Sequence, residues 1–139
     1  MILLVLYRLL LAPPVVGIII YATSYNNHML SVLSLNGSSL LVVGQSLDCG
    51  SEPAWLTLDY SKSILYCLNE GWDENKNASI TSFRTKADGT LETSGVLPLI
   101  KSPVAATLYG PRSEDLAIAF LYVPPQLSFI TSTIIMPVK

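Results

Sequence analysis

Residues 54–97 decide the fold. They read AWLTLD (54–59), a polar turn Tyr60–Ser63, ILYCLN (64–69), a polar loop Glu70–Ala78, SITSFRT (79–85), an Asp88-Gly89 turn, and TLETSGVL (90–97). Each apolar or alternating run is of strand length and is bounded by turn residues. In 79–85 the side chains alternate, with Ile80, Ser82 and Arg84 opposite Thr81, Phe83 and Thr85. Asp-Gly between two such runs is a tight hairpin signal. Four short antiparallel strands are therefore predicted within about 50 residues, a length typical of one propeller blade.

The unit recurs along the chain. At an offset of 50, Pro53, Thr57 and Leu58 meet Pro103, Thr107 and Leu108. The same offset pairs Leu30 with Ile80, Ser31 with Thr81, Leu33 with Phe83 and Leu41 with Leu91. Upstream, 18–24 (IIIYATS) answers to the second run, 29–35 (MLSVLSL) to the third and 40–44 to the fourth. Downstream, 103–109 (PVAATLY) starts another unit, Leu116–Ala119 is a remnant of its next strand, and no blade pattern is read from Tyr122 onward, where Pro124-Pro125 would break a central strand. The expected fold class is all-β: a partial propeller of two to three four-stranded blades over residues 18–121, between an apolar segment 1–17 and an atypical apolar tail 122–139. A closed ring needs four to eight blades to protect its strand edges, and six would take about 300 residues.

Bulk properties exclude several functions. Net charge is −2, and the eight Lys and Arg are scattered, so nucleic acid finds no basic stripe. There is one histidine, His28, and two cysteines, Cys49 and Cys67, without paired zinc spacing; neither a metal nor a cofactor is expected. The residue types favour two reduced, buried thiols, with a disulfide open if the chain is secreted. No Ser/His/Asp order, phosphate loop or dinucleotide fingerprint is present.

The N-terminal stretch MILLVLYRLLLAPPVVGIII (1–20) fits a signal peptide better than a membrane span. Arg8 would cost about 2.5–3.5 kcal/mol near the centre of a spanning helix, and Pro13 and Pro14 break one. Membrane contact through residues 1–20 and a non-native leader stay open, as do secretion and a cytoplasmic location. Asn36-Gly37-Ser38 and Asn77-Ala78-Ser79 are acceptor triplets for N-glycosylation, the first also a hairpin turn.

The stretch DCGSEPAWLTLD (48–59) followed by ILYCLNEG (64–71) resembles the first blades of the fungal lactonase family, as do SITSF (79–83), DGTL (88–91) and YATSY (21–25). That family comprises seven-bladed propellers akin to 6-phosphogluconolactonase and to carboxy-cis,cis-muconate cyclase. The resemblance covers roughly residues 18–110 and marks the chain as an N-terminal fragment, with the sequence after Gly110 departing in the manner of intron read-through, a frameshift or a short paralogue. It implies an enzyme acting on a sugar lactone or a muconate-like acid, a small-molecule partner, and His, Glu and Arg residues mostly in later blades. Lactone hydrolysis needs a polarised carbonyl and a base to activate water. The one catalytic position carried over is Glu70, against which stands an ordinary loop carboxylate accepting backbone hydrogen bonds.

Other polar and aromatic residues have plainer readings. His28 is a turn residue without a partner at catalytic spacing. Asp48, Asp59, Asp73 and Glu74 are turn acids, and Asp73-Glu74-Asn75 lacks the glycine and distal glutamate of a calcium loop. Trp55 is expected in the core, and Trp72 as an exposed loop aromatic able to stack on a sugar. Three readings follow: a lactonase or cyclase fragment inactive as this short chain, a non-catalytic secreted or membrane-tethered binding fragment, and a functionless product prone to aggregate through its open edges.

Overall fold

The computed structural model describes residues 17–72, 76–100, 102–109, 115–120 and 132–134. Among the described residues, ten strands form three antiparallel sheets. Sheet I orders β1 (Ile18–Ser24), β2 (Met29–Asn36) and β3 (Ser39–Ser46). Sheet II orders β4 (Pro53–Asp59), β5 (Ile64–Asn69), β6 (Ser79–Thr85) and β7 (Leu91–Pro98). Sheet III orders β8 (Pro103–Tyr109), β9 (Asp115–Phe120) and β10 (Ser132–Ile134). The expected strands of residues 18–109 are present within a residue or two. The tail supplies one strand that its sequence did not announce, since Ser132–Ile134 pairs antiparallel with β9. Expectations for residues 1–16, Asp73-Glu74-Asn75 and Pro124-Pro125 fall outside the described residues.

Local chemistry sets the turns. Asn36 pairs with Ser39, leaving the two-residue turn Gly37-Ser38. At the β6–β7 hairpin, Lys86 N–H donates to Thr90 O and Gly89 N–H to Lys86 O, both at 2.9 Å. This three-residue turn is braced by the Asp88 carboxylate, which accepts from Thr90 N–H (3.0 Å) and its hydroxyl (2.7 Å). At the β4–β5 turn, buried Asp59 accepts from Ser61 Oγ (2.7 Å) and Lys62 N–H (3.1 Å), with Lys62 Nζ 3.5 Å from Oδ2.

The 50-residue repeat reappears as a repeat of irregularities. The β2–β3 ladder shifts register at Val32/Leu33, and the β6–β7 ladder at Ser82/Phe83. The β4–β5 ladder shifts at Pro53/Trp55, and the β8–β9 ladder at Pro103/Ala105. Both pairs of bulges stand 50 positions apart. A bulge bends and twists its strand at a defined point, so the sheets share curvature as well as length.

All six residues of β5 are buried, because sheet II is covered on both faces. Ile64, Tyr66, Leu68 and Ile80 turn to one side and pack with Ala106, Leu116 and Ile118 of sheet III. Leu65, Cys67 and Phe83 turn to the other and pack with Leu30 of sheet I and with Cys49. Each leucine, isoleucine or phenylalanine among them, removed from water, is worth about 1.5–3 kcal/mol. The first strands of sheets II and III, β4 and β8, lie side by side, and β1 adjoins β4. Face-to-face sheets meeting along their first strands are the arrangement of propeller blades around an axis. Sheet I has three strands whose order matches the second to fourth strands of sheet II, as the sequence alignment requires. Ile18, Ile20, Leu40 and Val42 on its far face are exposed. Among the described residues no helix is long and apolar enough to cross a membrane.

Candidate functional site at one end of the sheets

Strand direction gathers four connections at one end: Tyr25–His28, Leu47–Glu52, Glu70–Ala78 and Leu99–Ser102. The tight turns Gly37-Ser38, Tyr60–Ser63 and Lys86–Thr90 lie at the other end. In a propeller such connections surround one mouth of the axial channel.

Glu70, the sequence-predicted site residue, stands at this mouth directly after β5. Its N–H donates to Glu52 O and its carbonyl accepts from Ser102 N–H, each at 2.9 Å. Glu52 and Ser102 are repeat-equivalent residues, each preceding the proline that starts an inner strand, so consecutive units clasp Glu70 from both sides. The Glu70 carboxylate has no hydrogen bond or ion pair among the described residues. It is half-buried, and burial pushes its pKa above the usual carboxylate value. The backbone, rather than the side chain, is what the loop uses for structure.

The clasp is held by residues that the sequence reading did not single out. Glu52 is buried at 8% exposure, and its carboxylate accepts from Trp72 N–H (2.5 Å) and Lys76 Nζ (3.1 Å). Glu52 N–H donates to Asn69 Oδ1 (2.8 Å), and Asn69 Nδ2 donates to Asn77 O (2.7 Å). Gly71 packs on the Asn77-Ala78 peptide in the left-handed region (φ +58°); a Cβ there would lie 2.7 Å from Asn77 C. A buried carboxylate needs such partners; the signal available in sequence was only the alignment of Glu52 with Ser102.

The cysteine expectation is corrected. Cys49 and Cys67 form a disulfide with their Cα atoms 5.7 Å apart, rather than two reduced thiols. Both are fully buried beneath Leu30, Leu65 and Phe83. The loop after β3 folds back over β5 and lays Cys49 on the one β5 side chain that can bond to it. The bridge fastens the Glu52 loop to the strand that carries Glu70.

Trp55 is likewise corrected. It is 44% exposed instead of core. β4 is the first strand of its sheet and has one hydrogen-bonded neighbour, so its side chains are not sandwiched as those of β5 are. The Trp55 indole N–H donates to Ala106 O (2.9 Å) and Thr57 Oγ1 (3.2 Å), and the Thr57 hydroxyl also donates to Ala106 O (2.7 Å), clipping β4 to β8. Trp72 is exposed, as expected of a loop aromatic, two residues from Glu70.

The remaining candidates serve the turns. His28 is a turn residue whose N–H donates to Tyr25 O (3.2 Å) and whose Nδ1 contacts Ser51 O. Asp48 accepts the Thr93 hydroxyl at 2.5 Å, and its carbonyl accepts the Thr81 hydroxyl at 2.8 Å. Among the described residues no three His, Cys, Asp or Glu side chains converge. The Lys76 ammonium at the mouth is engaged by Glu52.

The mouth thus offers one partly desolvated carboxylate, one exposed indole and a braced backbone. A carboxylate whose pKa is raised by burial holds a proton more readily than a solvated one, as a proton-transfer group must, and an indole offers a face to a sugar ring. Comparison with known proteins agrees with this architecture. The sequence model of the family "Lactonase, 7-bladed beta-propeller" matches residues 19–119. No curated protein and no solved structure matches the chain. The match spans most of the chain, and its limits enclose all of sheets I and II and the β8–β9 hairpin save single residues at the ends of β1 and β9: the chain belongs to the lactonase family of seven-bladed β-propellers.

Proposed function

We propose that this chain supplies part of the mouth of a lactone-transforming propeller, acting on a sugar lactone of the 6-phosphogluconolactone type or on a muconate-like acid, with Glu70 as its proton-transfer group. The observation that carries the reading is the Glu70 carboxylate, raised in pKa by burial, without a structural partner among the described residues, on a backbone clasped from both sides. In hydrolysis the ionised carboxylate takes a proton from water as the water oxygen attacks the lactone carbonyl. The ring C–O bond then breaks, and the proton passes to the departing ring oxygen. Trp72 offers its face to the substrate ring.

By itself the 139-residue chain binds without turnover. The mouth lacks an uncommitted cation among the described residues, where an acidic substrate or a developing oxyanion would need one. The test is to titrate D-gluconate, the product-like acid, into isotopically labelled chain while also following D-glucono-lactone hydrolysis. The expected result is shifts at the amides of Glu70, Gly71 and Trp72, none at Gly37 or Gly89, and hydrolysis at the buffer rate. Absence of shifts at the mouth would refute the site. Hydrolysis above the buffer rate that Glu70→Gln abolishes would refute the inactivity and leave Glu70 as the base.

A further inference from the structure

Two features that catalysis does not use point to the same environment. The first is the buried Cys49–Cys67 disulfide, a bond that forms and persists in oxidising compartments and is rare where thiols are kept reduced. The second is the pair of acceptor triplets. Asn36-Gly37-Ser38 occupies the β2–β3 hairpin tip, where all three residues are exposed and the space beside Gly37 is open. Asn77-Ala78-Ser79 leads into β6; Asn77 is exposed, and only its backbone carbonyl is engaged, by Asn69. Neither asparagine side chain is committed to the fold by a hydrogen bond among the described residues. A triplet of this kind can arise by chance, but a buried triplet or an engaged asparagine amide would have no room for a sugar. At both triplets the asparagine itself, the residue that would carry the sugar, is exposed with an uncommitted amide, although Ala78 beside Asn77 is buried.

We infer that the chain passes through the secretory pathway and carries N-linked glycans at Asn36 and Asn77. The donor is a lipid-linked oligosaccharide pyrophosphate. The asparagine amide nitrogen bonds to the first sugar carbon, the bond from that carbon to the pyrophosphate oxygen breaks, and the amide proton is lost as the lipid pyrophosphate departs. The seryl hydroxyls of Ser38 and Ser79 complete the acceptor triplets. The two glycans would stand at opposite ends of the sheets. The one at Asn36 would cap the tight-turn end, and the one at Asn77 would border the mouth beside Trp72.

The experiment expresses the full chain with its own N-terminus in a eukaryotic host with a glycosylating secretory pathway. Electrophoretic mobility is read before and after treatment with an N-glycan amidase, which leaves aspartate at each modified position for peptide mass spectrometry. The expected result is chain in the medium with two amidase-sensitive steps, one lost in Asn36→Gln and the other in Asn77→Gln. Because transfer takes place on the emerging chain, the readout survives a variant that folds poorly. Chain retained in the cytosol without sugar overturns the inference, as does secreted chain with both asparagines unmodified. Modification at one position alone overturns the assignment of the other.

Discussion

Removing the Cys49–Cys67 bridge isolates the contribution of a single cross-link to this fold. The bonded residues are 18 apart, and loop-closure entropy for a ring of that size corresponds to about 3 kcal/mol of lost freedom in the unfolded chain. Both sulfurs are fully buried, so Cys49→Ala/Cys67→Ala also opens a small void among Leu30, Leu65 and Phe83, adding to the loss. Marginal domains have about 5–15 kcal/mol in all, so roughly a fifth or more of the total rides on this bond. The assay is urea unfolding of the parent and the double variant, followed by the fluorescence of Trp55 and Trp72. The parent should also show no reactive thiol before denaturation or after it under non-reducing conditions. A stability difference under about 1 kcal/mol, or two titratable thiols in the denatured parent, would refute the reasoning.

Three further predictions address the mouth and the turns. Gly71→Ala forces a side chain into the left-handed region and onto the Asn77-Ala78 backbone, whereas Gly37→Ala, at φ +60°, meets open space. The second substitution should cost about 1–2 kcal/mol and the first clearly more, in the same urea assay; equal losses would show that the close approach at Gly71 is unimportant. Glu52→Gln weakens the attachments of Trp72 and Lys76 and should cost about 1–3 kcal/mol, with broadened or shifted amide signals from Glu70 to Trp72 and unchanged signals at the Asp88-Gly89 turn. Glu70 and Asp59 should show opposite pH dependence. Burial raises Glu70's folded pKa, so its contribution to stability is lost as pH rises through that value, and Glu70→Gln should match or exceed the parent at neutral pH, the difference fading below about pH 4. Burial also opposes the charge on Asp59, but hydrogen bonds from Ser61 and Lys62 outweigh it and depress the pKa. Asp59→Asn should therefore be less stable than the parent at neutral pH and converge with it as pH falls through the depressed value; unfolding midpoints across the acid range read both.

What the sequence made legible was whatever depends on neighbours along the chain. β5 reads as a continuous apolar run because both its faces are covered, and β6 sends Ile80 to one face and Phe83 to the other with polar residues between them. Asp88-Gly89 and Asn36-Gly37 announce their turns for reasons of backbone sterics. Glu70, at its place after a strand, was a candidate because of the family resemblance. Its bracketing by Glu52 and Ser102 was hidden, because it joins backbone atoms far apart in sequence. The disulfide was hidden for a similar reason: Cys49 lies in a loop whose path is set by tertiary packing, and no counterpart recurs at the 50-residue offset. Trp55 misled because residue type says nothing about a strand's rank in its sheet, and only that rank decides how many neighbours cover it.

The alternation along β5 also bears on how such a protein gains or loses units. Each inner sheet is a two-sided tile: Ile64, Tyr66 and Leu68 are cut to fit the next sheet, and Leu65 and Cys67 to fit the one before. Duplicating a tile reproduces a pair of surfaces that already match, since Leu30 of sheet I and Ile80 of sheet II occupy equivalent places and both look toward the following sheet. Excising one would press Leu30 and Val32 of sheet I against Ala106, Leu116 and Ile118 of sheet III, a meeting of faces that keeps the correct orientation. It would, however, discard the cysteine that anchors the intervening loop. A gene built of such tiles can change length in whole units while its surfaces stay compatible, and the bonds unique to one seam, the disulfide first among them, are what make a given unit hard to replace.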